Sequence, residues 1–78
     1  MIHLLSGAHL TTVDRRNISA IIDQPTYDPT TTYQAGRKRY TVSDPDEHGT
    51  RTVITFEPYT TDAGAKETRR YRSEIRTA

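Results

Sequence analysis

From residue 37 onward, polar and apolar residues alternate position by position. Lys38, Tyr40 and Val42 fall on one side of a strand over residues 37–43, with Arg37, Arg39 and Thr41 on the other. Asp44-Pro45-Asp46-Glu47-His48-Gly49 then stops it. Pro suits the second position of a turn, Asp caps one through its side chain, and Gly49 supplies a positive φ. Residues 51–57 are dense in β-branched side chains and predict a second strand with Ile54 and Phe56 on its apolar side. Pro58 ends that strand or takes an unpaired position. A turn at Asp62-Ala63-Gly64-Ala65 follows. Arg69, Tyr71, Ser73 and Ile75 then alternate with Arg70, Arg72, Glu74 and Arg76, predicting a third strand over 68–77. Glu67, Tyr71 and Ile75 also share helical spacing, so a helix is the alternative there.

The first third reads two ways. Ala8–Val13 and Ile18–Ile22 make a hairpin around Asp14-Arg15-Arg16-Asn17. Alternatively, Thr11-Thr12-Val13-Asp14 is a capping box that opens a short helix over 12–22 and gives an α+β fold. Two prolines make 24–32 an irregular loop or extended edge. The expectation is one mainly β domain over 1–78: an antiparallel meander of three C-terminal strands (33–77), covered by the apolar segment 1–23.

Composition sharpens this picture. Ile, Leu, Val and Phe contribute only 13 of 78 residues, whereas 14 Thr and 5 Tyr supply β-favouring mass, so the core is thin. With no cysteine, neither disulfides nor thiolate metal sites are available, and a reducing, cytoplasmic compartment is expected. No apolar run is long enough for a membrane span, and no signal-peptide pattern appears at the start. In so small a domain, self-association is an expected source of further burial.

The net charge is only +1, yet the charges are segregated: 37–43 carries +3, 44–62 carries −4, and 63–78 carries +3. Nine of the 11 basic residues are Arg, which suits bidentate carboxylate or phosphate contacts. By strand parity, Arg37, Arg39, Arg51, Arg70, Arg72 and Arg76 share the uncovered face with Thr41, Val53, Thr55, Glu57 and Glu74. Tyr59, after Pro58, is a candidate protruding anchor. The bland reading of such a face is a solvated one that resists edge aggregation. The functional reading is a recognition surface: a protein-binding module of the inhibitor, adaptor or accessory type that phages and mobile elements encode, with nucleic-acid binding through the same arginines as the alternative. Acidic residues at 44–62 weigh toward a protein partner.

The residues for catalysis are missing. Asp44 to Gly49 begins like a calcium loop but has Thr55 where the bidentate Glu belongs, and His3 and His9 lack zinc spacing. The four glycines lie too far apart for a phosphate loop, and Ser6, His9 and Asp14 have no oxyanion hole. No cofactor or metal is expected. Tyr40-Thr41-Val42 followed by Gly49-Thr50-Arg51-Thr52-Val53-Ile54 resembles the central strands of small guanyl-specific microbial ribonucleases. That resemblance implies a Glu base before the first Tyr and a His acid on a later strand. Arg39 stands at the first place and Arg70 near the second, so the acid–base pair is absent and a non-enzymatic protein is expected.

Overall fold

Thr11 decides what the N-terminal third becomes. Its hydroxyl accepts a hydrogen bond from the Asp14 backbone N–H at 3.0 Å, and the Asp14 carboxylate accepts one from the Thr11 N–H at 3.0 Å. This reciprocal box satisfies two donors otherwise left open at a helix start. Helix α1 therefore runs from Thr12 to Ile22, and the hairpin around Asp14 to Asn17 does not form. Asp14, Ile18 and Ile21 are buried on one helical face. Capping and that burial outweigh the mediocre helix propensities of Val, Asn, Ser and Ile, each a few tenths of a kcal/mol.

The computed structural model describes Met1–Thr77. Among these residues the strands are β1 (Ile2–Gly7), β2 (Tyr33–Ala35), β3 (Lys38–Val42), β4 (Thr50–Thr60) and β5 (Lys66–Thr77). They form one open antiparallel sheet in the order β1-β5-β4-β3-β2, so the protein is mainly β with one short helix. The edge strand β1 lies in the segment read from the sequence as cover, and β2 is a short strand at the start of 33–77 beyond the three expected there. Residues 66–77 are strand, and the helix alternative does not form there.

α1 lies on one face of this sheet. Beneath it Ile2, Leu10, Ile18, Ile21, Tyr40, Val42, Val53 and Ile75 form the core. Tyr27 pins the 24–32 loop to the sheet by donating to the Val42 carbonyl at 2.7 Å. Among the described residues, nothing covers the opposite face.

One expectation reverses. On β4, Val53 and Thr55 point under the helix, at 0% and 3% exposure, while Ile54 and Phe56 face outward. Register fixes this orientation: Val53 lies between Val42 and Ser73, and Thr55 between Tyr40 and Tyr71. Directly opposed residues share a face, so the neighbouring strands dictate which side of β4 is buried. Apolar side chains occupy both parities of β4, so its own alternation could not choose.

β4 also continues past Pro58 to Thr60. The Arg72 carbonyl accepts from the Ala8 N–H at 2.9 Å and so points toward β1. Alternation then turns the backbone groups of Thr68 outward too, making Thr68↔Pro58 a pair without mutual hydrogen bonds. The missing N–H of Pro58 thus faces away from β5, beyond the last β3 partner of β4, and costs no ladder bond. Beyond this point β4 and β5 form a two-stranded arm, and residues 62–70 at its tip and along β5 are exposed.

Candidate functional site

The open face is ordered by cross-strand rows. One row runs Gln34, Arg39, Phe56, Arg70, and the next runs Thr41, Ile54, Arg72. Thr52 lies beside Glu74, and Thr50 beside Arg76, which neighbours His3 on β1. Half-buried Ile54 and Phe56 therefore occupy the central strand, with exposed arginines on both flanks. The guanidinium carbons of Arg39 and Arg70 lie 5.8 and 5.6 Å from the Phe56 ring centre, within cation–π range.

Four of the arginines anticipated for this face are on it: Arg39, Arg70, Arg72 and Arg76. Arg37 instead sits in the β2–β3 turn beside Gly36. Arg51 projects to the helix side, because it shares parity with buried Val53. There it donates to the Ser43 carbonyl at 3.0 Å and the Tyr27 hydroxyl at 3.2 Å, closing the 24–32 loop. Val53, Thr55 and Glu57 leave the open face for the same reason. Tyr59 lies on the helix-side face of the arm; its hydroxyl donates to Glu67 at 2.5 Å, and Arg69 stacks over its ring at 4.1 Å. It is half-buried by those contacts rather than protruding. Sequence parity missed Ile54 and Phe56 as members of the open face.

Charge is also sorted by face. Asp44, Asp46 and Glu47 lie in the β3–β4 turn, Asp62 at the arm tip, and Glu57 on the helix side, where it meets Lys38 Nζ at 3.3 Å. Among the described residues, Glu74 is the carboxylate within the open-face rows, facing Arg72 at 3.5 Å. Of the acidic segment 44–62, Asp46 in the turn interacts electrostatically with Arg76 at the end of its row, and no carboxylate of the segment lies in the rows of Arg39, Arg70 and Arg72.

A polar cluster lies under the helix start. The Asp14 carboxylate accepts from the Tyr40 hydroxyl at 2.7 Å and from Lys38 Nζ at 3.1 Å. Burial pushes the Asp14 carboxyl up, but hydrogen bonds from Tyr40, the Thr11 backbone and Lys38 more than offset it, leaving it below the ordinary value. Burial and the Asp14 hydrogen bond hold the Tyr40 hydroxyl above its usual range. Beside this cluster is a cleft of about 270 Å³ lined by Ala8, His9, Thr11, Asp14, Lys38, Thr55, Glu57 and Tyr71. The buried Thr55 hydroxyl has no hydrogen-bond partner among the described residues. A Thr55→Val variant should therefore be neutral to about 1 kcal/mol more stable in urea unfolding, since it removes an unsatisfied polar group at nearly constant shape.

Among the described residues, no group of three or more His, Asp and Glu is placed to hold a metal ion, and no helix is long and apolar enough to cross a membrane. The architecture is a single open sheet with one helical cover and one bare, arginine-flanked face. No protein-family model matches the chain, and no curated protein or solved structure is significantly similar to it.

Proposed function

We propose that this protein is a non-enzymatic binding module that docks an acidic protein surface on its open sheet face. The observation that carries the reading is the placement of Ile54 and Phe56 on the central strand between rows of exposed Arg. Specific interfaces combine an apolar, dehydrated centre with a polar rim, and Arg and aromatic residues dominate their binding energy. A bare face carrying Arg39, Arg70, Arg72 and Arg76 against a single Glu74 attracts a partner rich in Asp and Glu. A reducing intracellular setting fits a chain without cysteine.

Nucleic-acid binding is the second reading, favoured by the removal of the acidic residues from this face. A salt titration with random single-stranded and duplex DNA separates the two. Nucleic acid held by these arginines requires affinity falling with a log–log slope of about −0.7 to −0.9 per phosphate contacted. For a protein-binding module, no binding is expected at ~50 mM salt. Nuclease-treated capture from the source lysate should recover a partner that Phe56→Ala loses by about tenfold or more, with Arg39→Glu/Arg70→Glu/Arg72→Glu losing it entirely. Both variants should keep the wild-type melting temperature within a few degrees, because these side chains are outside the core. Equal capture by the variants would refute the open face as the docking surface.

A further inference from the structure

β5 is twelve residues long, but β1 pairs with it only from Ser73 to Thr77. The chain leaves the sheet after Gly7, and the last bond to this edge is from the Ala8 N–H to the Arg72 carbonyl. Because Arg72 points outward, alternation turns the N–H and C=O groups of Arg70 and Thr68 to the same side. Among the described residues, no strand lies against this stretch. The molecule therefore holds a strand slot about six residues long, collinear with β1, between Ala8 and the arm tip.

We infer that this edge receives an extended acidic segment of the partner as an added antiparallel strand. The inference deepens the reading of the protein as a binder of acidic proteins and rests on it. Unpaired edges recruit strands through main-chain hydrogen bonds, while alternate side chains set specificity. Along β5 the slot is flanked by Lys66, Arg69, Arg70 and Arg72, with Glu67 the one acid of the strand itself, while Glu57 lies opposite Arg69 on β4. These charges select an Asp- or Glu-bearing strand. They also oppose a second copy of the same edge, since antiparallel self-pairing brings cations against cations. On the helix side the slot ends at Tyr71, a wall of the cleft also lined by His9, Thr55 and Glu57.

Proline scanning of the intact protein tests this directly. At Thr68 the N–H points outward, so Thr68→Pro removes a donor from the slot without removing one from the β4–β5 ladder. The probe is an acetylated, amidated peptide alternating Glu with Thr and Val, titrated against isotope-labelled protein by NMR. The Thr68 and Arg70 amides should shift and exchange more slowly with solvent. Thr68→Pro should weaken binding by about tenfold or more, and the corresponding Lys peptide should not bind. Arg70→Thr/Arg72→Thr should also weaken it, which covers the case of a misfolded proline variant. Phe56→Ala should leave peptide binding intact while impairing capture of the whole partner, so the edge and the open face are scored separately. Unmoved Thr68 and Arg70 amides, equal affinity for the Lys peptide, or loss of peptide binding in Phe56→Ala would each overturn the inference.

Discussion

Gly7→Ala is expected to leave little folded protein at 25 °C. Gly7 has φ +91°, and a Cβ there would sit 2.3 Å from the Arg72 carbonyl oxygen and 2.9 Å from the Ser73 Cα. Both atoms are backbone of β5, so no side chain can swing aside. The left-handed conformation alone costs a non-glycine residue about 1–2 kcal/mol. Relieving the contact adds the separation of β1 from β5 near the Ala8 N–H to Arg72 carbonyl bond at 2.9 Å and the Ser73 hydroxyl to Ala8 carbonyl bond at 2.8 Å. A total of about 3–5 kcal/mol matches what the core of so small a domain supplies. Circular dichroism and urea titration of Gly7→Ala against Gly36→Ala check the argument. Gly36 also has positive φ but has nothing within 4 Å of its Cβ position, so its loss should stop at the conformational cost. Equal losses in the two variants would show that close approach to β5 is not what selects glycine.

Removing the Asp14 carboxylate is the second large effect. Asp14→Ala takes away the return half of the capping box, leaves the buried Tyr40 hydroxyl without its acceptor, and leaves Lys38 paired with Glu57 alone. Losing one partner of such a network costs about 2–4 kcal/mol, most of it the desolvation of the groups left behind. The pH dependence follows from the depressed Asp14 carboxyl. Its folded value lies below the ordinary 3.8, so its contribution is complete above 3.8 and disappears as pH falls through the folded value. Asp28 and Asp46 are also held low, by hydrogen bonds from Thr30 and Thr50 respectively, and add to the acid limb in both proteins. The difference between wild type and Asp14→Asn therefore isolates Asp14: a gap in stability near neutrality should narrow on acidification. A constant gap down to low pH would assign the loss to packing rather than to the carboxylate.

The amino-acid sequence carries its local chemistry legibly. The Thr11–Asp14 capping box, the strand-and-turn rhythm from residue 38, and the alternation along 68–77 depend on neighbours a few positions away. Four of the six arginines assigned to the open face could be placed there because β3 and β5 each have one clearly apolar side. β4 has none, since Val53, Ile54, Thr55 and Phe56 serve either parity. Only pairing with Val42 and Tyr40 on one side, and Ser73 and Tyr71 on the other, decided that Phe56 lies among the arginines and Arg51 does not. The same holds for β1, whose few apolar residues suggested a cover until β5 gave them an edge to join. Local patterns determine which elements form, because their energies come from adjacent residues. Which face is bare and which edge is free are properties of register and strand order, set by contacts tens of residues apart.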